Sequence, residues 1–169
     1  MTGPTAHVDL SGLTGLCEAL ERSPDLAVEE LLATAVQASM YLEREVKERT
    51  PVGVTNALRG SIAAKEPTTL GHRVVTQMGT ANPYALPVEL GTKPHFPPLQ
   101  PLLDWAQHKL GLHGEEAEEA ARAIQLKISW HGTKGAFMFR GAMEDGEPTI
   151  RRMYEACMIR IAERIEAGA

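Results

Sequence analysis

The sequence predicts an α+β fold: a long N-terminal helix and a C-terminal helix packed with a small antiparallel sheet, two further helices and long ordered loops. Three observations predict it. Apolar residues recur at spacings of three and four over long stretches, a short alternating run lies between proline- and glycine-rich segments, and aromatic residues make up only 5% of the chain. With 43% apolar residues, many of them alanine, the composition favours aliphatic helix faces over an aromatic-rich sandwich. At 169 residues, one domain is expected over 1–169, with residues 1–22 a loosely docked N-terminal segment.

The elements follow in chain order. Residues 1–23 carry a short amphipathic stretch around Leu13, Leu16, Cys17 and Leu20, read as a weakly docking helix. Ser23 before Pro24 reads as a helix start, because the hydroxyl can accept a free backbone N–H and proline at the first helical position forfeits no bond. Val28, Leu31, Leu32, Ala35, Ser39, Leu42 and Val46 then share one face, while Glu29, Glu30, Glu43, Glu45 and Lys47 fall largely elsewhere. The helix must stop near Thr50, since Pro51 restricts the residue before it and cannot donate the next hydrogen bond. At 1.5 Å per residue it would run roughly 35 Å.

Residues 58–65 and 73–78 are the strand candidates, an antiparallel pair separated by residues 66–71. Val74, Thr76 and Met78 alternate as in a half-buried strand, although the first run is poor in β-formers. Residues 81–98 hold five prolines beside Tyr84, Val88, Leu90 and Phe96. A flexible linker would not carry so many large apolar groups, so an ordered, extended loop with little regular hydrogen bonding is expected. Pro101 opens a helix bearing Leu102, Leu103, Ala106 and Leu110 that ends at Gly111. Residues 115–128 form another, with glutamates in its first turns and Ala117, Ala120, Ala121, Ile124 and Ile128 at packing spacing. Residues 130–147 read as irregular around Ala136, Phe137, Met138 and Phe139. Pro148 reads as the start of a last helix through Ile150, Met153, Tyr154, Cys157, Ile161 and Ile165, stopping near Gly168.

Several function classes are excluded at this level. No stretch approaches the roughly 20 apolar residues of a membrane span. The start, MTGPTAHVDL, lacks a basic region followed by an apolar run, so the protein is expected to stay in the cytosol where it is made. A net charge of -5 argues against a sequence-specific DNA reader, which needs a basic face to neutralise phosphates. Cys17 and Cys157 have no partner at CxxC-type spacing, so neither a disulfide framework nor a thiolate zinc site is signalled. His108 and His113 straddle Gly111, which breaks the helical face that an HExxH-type pair needs; His7, His72, His95 and His131 are unpatterned.

There is no GxSxG, no cysteine nucleophile signature and no GxxxxGK[ST]. His131-Gly132-Thr133-Lys134-Gly135 lacks the strand-to-helix setting of a phosphate loop and reads as a plain turn. The expectation is therefore no catalytic residues, no metal, no cofactor and no enzyme. Glu89, alone among apolar residues, reads as a carboxylate capping backbone N–H groups of its own loop or pairing with Arg59. Trp105 and Trp130 are core or interface anchors, and the sequence does not separate the two.

The most informative pattern is a set of segments in fixed order: Lys47-Glu48-Arg49-Thr50-Pro51-Val52, Leu58-Arg59-Gly60-Ser61-Ile62, Tyr84-Ala85-Leu86-Pro87-Val88-Glu89-Leu90-Gly91-Thr92, and Phe137 in a glycine-rich stretch. Over roughly residues 28–165 this resembles the gene-product-ten family of neck, or tail-completion, proteins of long-tailed bacteriophages and prophages. That family shows a long helix, a PVDTGxLRxSI-like turn, a YAxxVExGT loop, and a Pro-Phe segment before a helix. Here Val54 stands where aspartate is common, Asn56 takes the usual glycine position, and Ala136-Phe137 replaces Pro-Phe. Asn tolerates a left-handed backbone best among non-glycine residues, which preserves the turn.

The resemblance implies a non-enzymatic virion component, made in the bacterial host cytoplasm and assembled as a ring, hexameric by analogy with tail symmetry, at the head-tail junction. Its partners would be copies of itself and the adjoining neck, connector and tail proteins, with passive contact to passing DNA and none to membrane. Tyr84, Val88, Glu89, Thr92, Phe96, Phe137 and Phe139 are the expected subunit or partner contacts. Arg59 and Glu89 are the expected pair joining two loops, and Pro51, Asn56, Leu58 and Gly91 the motif turns. The alternatives are a tail terminator ring capping the tail tube and, from a different class, an intracellular protein-binding module.

Overall fold

A computed structural model describes residues 24–70 and 73–167. The expected helix around Leu13 to Leu20, the Ser23 cap, Cys17, His7, His72 and the stop at Gly168 lie outside the described residues. The chain, expected as one domain, gathers its contacts in two compact units. One is built from the described residues up to Val46, from Ala63–Gly79 and from Arg140 onward; the other is Lys47–Ile62 and Thr80–Phe139. The class is α+β, with long first and last helices, short helices and small antiparallel sheets.

In the first unit, helix α1 (Pro24–Arg49) begins with proline at its first position and stops one residue short of Thr50, at the places where Pro24 and Pro51 require it. It packs against the last helix, labelled α6 (Met138–Glu166). Ala27, Cys157, Met158 and Ile161 form a buried cluster with Leu26, Leu31 and Ile165 against it. The two run antiparallel. Arg160 and Arg164 reach Glu30 near one end, at 3.2 and 2.8 Å, while Gly146 meets Tyr41 and Leu42 further along. Glu30 is thereby held below the ordinary carboxyl value, chiefly by its hydrogen bond from Arg164 and then by that from Arg160.

The start of α6 differs from the expectation at Pro148, which sits inside the helix. A proline there leaves the carbonyl four residues earlier without its helical donor and crowds it with the ring, a cost the helix carries without ending. The Asp145-Gly146-Glu147-Pro148 run resembles a turn, but Gly146 is buried, and a Cβ on it would lie 3.2 Å from the Tyr41 ring. The glycine serves a close helix–helix approach.

The expected strand pair is also redrawn. Residues 58–61 lie in a short helix, α2 (Ala57–Ser61), which belongs to the second unit. Strand β1 (Ala63–Ala64) pairs antiparallel with β4 (Met78–Gly79), and β2 (Thr68–Leu70) with β3 (Arg73–Val75), so Thr68–Leu70 of the segment taken as a connector is itself strand. Lys65 N–H donates to the Gln77 carbonyl at 2.7 Å between the two ladders. Residues 58–61 turn helical because Asn56 enters at φ 55 and Ser61 Oγ donates back to the Leu58 carbonyl at 2.8 Å. Two polar residues of α1 hold this hairpin. Glu43 Oε2 accepts the Ala64 N–H at 2.8 Å, and Ser39 Oγ lies 2.7 Å from Thr76 Oγ1.

In the second unit, helix α3 (Ala85–Leu90) and strand β5 (Gly91–Thr92) occupy the middle of what reads as an extended loop. Pro87 is accommodated because it is the third residue of α3, where a helix has no use for the N–H. Helix α4 (Leu99–Trp105) widens into a π-helical turn (Ala106–Leu110) and ends at Gly111, in the left-handed region at φ 69. It packs on α5 (Gly114–His131), where Ala117 and Ala121 are fully buried with Ala106. Helix α5 runs past the expected residue 128. Strand β6 (Thr133–Lys134) then pairs antiparallel with β5.

Candidate functional site

The quoted motif segments converge in the second unit around Glu89. This residue is the last but one of α3, and together with Val88 it meets the chain near Phe137 through three hydrogen bonds. The Val88 carbonyl accepts the Ala136 N–H at 2.8 Å, the Glu89 carbonyl accepts the Phe137 N–H at 3.1 Å, and Glu89 Oε2 accepts the Phe139 N–H at 2.9 Å. The last bond is an N-cap. Helix α6 begins at Met138, and the residue before it is a phenylalanine, which has no acceptor for the free amides of the first turn. A carboxylate supplied by a segment 50 positions away takes that role. Phe137 itself sits at φ 49, a conformation a non-glycine residue holds only when its neighbours are pinned.

The same frame continues through β5 and β6. Gly91 and Gly132 have φ of 77 and 68, and a Cβ on either would run into backbone of the opposite strand, at the Thr133 or the Thr92 carbonyl oxygen. Thr92 and Thr133 lie directly opposite each other, with hydroxyl oxygens 3.0 Å apart, and each hydroxyl also accepts the other residue's N–H. Met138, fully buried, receives a hydrogen bond from the Thr50 hydroxyl at 3.3 Å on its sulfur, so the segment at Pro51 is tied to the same place. Tyr84 is pinned from the other direction. Ser61 Oγ meets Thr80 Oγ1 at 2.6 Å, Thr80 Oγ1 accepts the Asn82 N–H, and Asn82 Oδ1 accepts the Tyr84 N–H, both at 3.0 Å.

The residues expected to make contacts therefore divide in two. Val88, Glu89, Thr92 and Phe139 are half-buried parts of the frame. Tyr84, Phe96 and Phe137 are exposed, at 70, 67 and 41%, and Leu86 and Leu90 beside them are exposed as well. Among the described residues no ion pair joins Arg59 to Glu89; Arg59 is half-buried on α2, and the Glu89 carboxylate serves the Phe139 amide. Pro51 is exposed, Leu58 half-buried, and Asn56 left-handed as a turn at that place requires.

Sequence reasoning missed Thr50, Thr133 and Gly132. Gly132 carried a signal, because a glycine directly after a helix and before a short β-prone pair marks a C-cap and a close strand crossing. Thr50 and Thr133 carried none, since their partners lie 88 and 41 residues away.

What this arrangement offers is a rigid main-chain frame that presents large apolar side chains to solvent. Among the described residues there is no group of three or more His, Cys, Asp or Glu placed to hold a metal ion, and no helix is long and apolar enough to cross a membrane. Compared with protein-family models, curated proteins and solved structures, the chain matches none of them.

Proposed function

We propose that this chain is a structural subunit of a ring at the head-tail junction of a long-tailed phage or prophage, joining or completing the tail beneath a DNA-filled head. The observation that carries the reading is the pairing of a pinned backbone with exposed aromatics. Tyr84, Phe96 and Phe137 stand in solvent while their own segments are fixed by hydrogen bonds or by φ-restricting prolines. An isolated subunit gains nothing from that exposure. An assembly surface does, because side chains held in place before docking lose little freedom when they bind.

In the assembled ring these aromatics would anchor contacts to neighbouring copies, hexameric by tail symmetry, and to adjoining neck, connector and tail proteins. Val88, Glu89, Thr92 and Phe139 would hold the frame rather than touch the partner. The net charge of -5 suits a wall along which DNA passes without adhering.

The test replaces Tyr84 and Phe96 together by Ala in the phage or prophage that carries the gene. Stability should change by no more than about 0.5 kcal/mol per site, as for exposed side chains, while filled heads and finished tails accumulate unjoined. Particles that join normally with the doubly substituted chain would sink the proposal. Tail tubes of uncontrolled length, visible by electron microscopy, would instead identify a tail terminator.

A further inference from the structure

We infer that the solvent face of α5 is a self-complementary surface that takes a second copy of this chain, across a two-fold axis at Ala123. The inference uses none of the motif side chains and stands independently of the ring.

Helix α5 buries Ala117, Ala121 and Gln125 on one side, where Gln125 Nε2 also donates to the Pro97 carbonyl at 2.7 Å. The opposite side is not the polar surface that such a helix normally shows. Glu116, Glu119, Ala123, Leu126, Lys127 and Trp130 follow one another at spacings that keep them on one stripe. Leu126 and Trp130 are 45 and 68% exposed, and with Ala123, Lys127 and His131 they line a shallow depression. A solvent-exposed tryptophan beside a leucine on a rigid helix is the composition of an interface anchor.

The charges along the stripe say what fits there. Its first half is acidic, at Glu116 and Glu119, and its second half is basic, at Lys127. Among the described residues none of the three has an ion-pair partner. Glu119 and Lys127 stand four residues on either side of Ala123, about 6 Å along the axis each way. An identical helix laid antiparallel over this one, with the two Ala123 residues facing, therefore brings each Glu119 level with Lys127 of the other copy.

The same operation lays Glu116 beside Trp130, seven residues out on the other side. It also sets Ala on Ala at the crossing, where small side chains permit interaxial distances near 8 Å. A parallel neighbour would instead oppose like charges. This antisymmetry about a small central residue is the signature of an isologous contact, and an unrelated partner would have no need of it.

Sedimentation equilibrium on the purified full chain, from about 1 to 300 μM, tests the contact. The expected result is a reversible dimer. Glu119→Lys and Lys127→Glu should each weaken it about ten-fold, since each change creates two repulsive contacts per dimer; the double exchange should return it to within about two-fold of the parent. Ala123→Arg should leave a folded monomer throughout. A parent that stays monomeric at every concentration overturns the inference, as does a dimer indifferent to Ala123→Arg and to both exchanges; either outcome would give this face to a different partner. Ring formation is scored separately, by its loss in the Tyr84 and Phe96 variants, so a charge-sensitive dimer without rings would sink the ring reading alone.

Discussion

Each of the two units of this chain coheres internally by a different force. In the first, α1 and α6 meet through Ala27, Cys157, Met158 and Ile161, so cohesion comes from apolar side chains at helical spacing. In the second, the segments around Glu89 meet mainly through main-chain groups: amides at Ala136, Phe137 and Phe139, the β5–β6 ladder, and three glycines, Gly91, Gly132 and Gly135, with no room for a Cβ. A core of side chains tolerates exchange of one apolar shape for another. A frame of backbone contacts does not, but it leaves its side chains free to face outward, and that is where Tyr84, Phe96 and Phe137 are.

The sharpest way to break this contrast is Gly132→Val. It forces a left-handed position on a branched residue and drives its Cβ into the Thr92 carbonyl, with an expected cost of about 3 kcal/mol or more. Trp105 and Trp130, both tryptophans of the chain, belong to the second unit, so their fluorescence in urea should fall well before the far-UV signal of α1 and α6. Coincident loss by both probes would mean one cooperative whole. Next in size is Ile161→Ala, at about 3 kcal/mol from a fully buried position, and here the order of the two signals should reverse.

Glu89→Ala removes the cap on Phe139 and should cost about 1–2 kcal/mol, with faster amide exchange at Phe139; Glu89→Gln, which keeps an acceptor, should cost less. The smallest effect belongs to Glu30→Gln on the exposed side of the helix pair. Because Arg164 and Arg160 hold the folded Glu30 below its ordinary value of 4.5, its contribution is present at neutral pH and is lost as pH falls through the lowered value. The acid limb of a stability–pH curve should therefore flatten slightly in this variant, and an unchanged limb would remove the clamp from the account.

The first unit was far more legible than the second. Pro24 and Pro51 announce the ends of α1 through their own backbone chemistry, and the spacing from Val28 to Val46 announces its packed face. Gly111 likewise ends the helix before it. The errors share a cause. Pro148, Pro87, Gly141 and Gly146 were taken as breaks, yet Pro148 and both glycines lie within α6 and Pro87 within the first turn of α3. Local propensity at these points is overridden by distant partners: the Tyr41 ring that needs Gly146, and the Glu89 carboxylate that lets α6 start ten residues before Pro148.

At the site, the sequence was sufficient to single out the 84–92 segment and Phe137, but it assigned the Glu89 carboxylate to backbone amides of its own loop or to Arg59. The carboxylate serves the Phe139 amide instead, and capping an amide 50 positions away leaves no periodic trace.

By itself, then, the sequence determined the class of fold, the extent of α1, the packing face of α5 and the order of the motif segments, since all of these follow from spacing and from the backbone limits of proline and glycine. Only the tertiary structure decided that Glu89 caps α6, that β5 pairs with β6, and that Tyr84, Phe96 and Phe137 face solvent while Phe139 is half-buried. Each of these depends on which backbone donors remain unsatisfied once the chain has folded, and the nearest acceptor in space is then seldom the nearest in sequence.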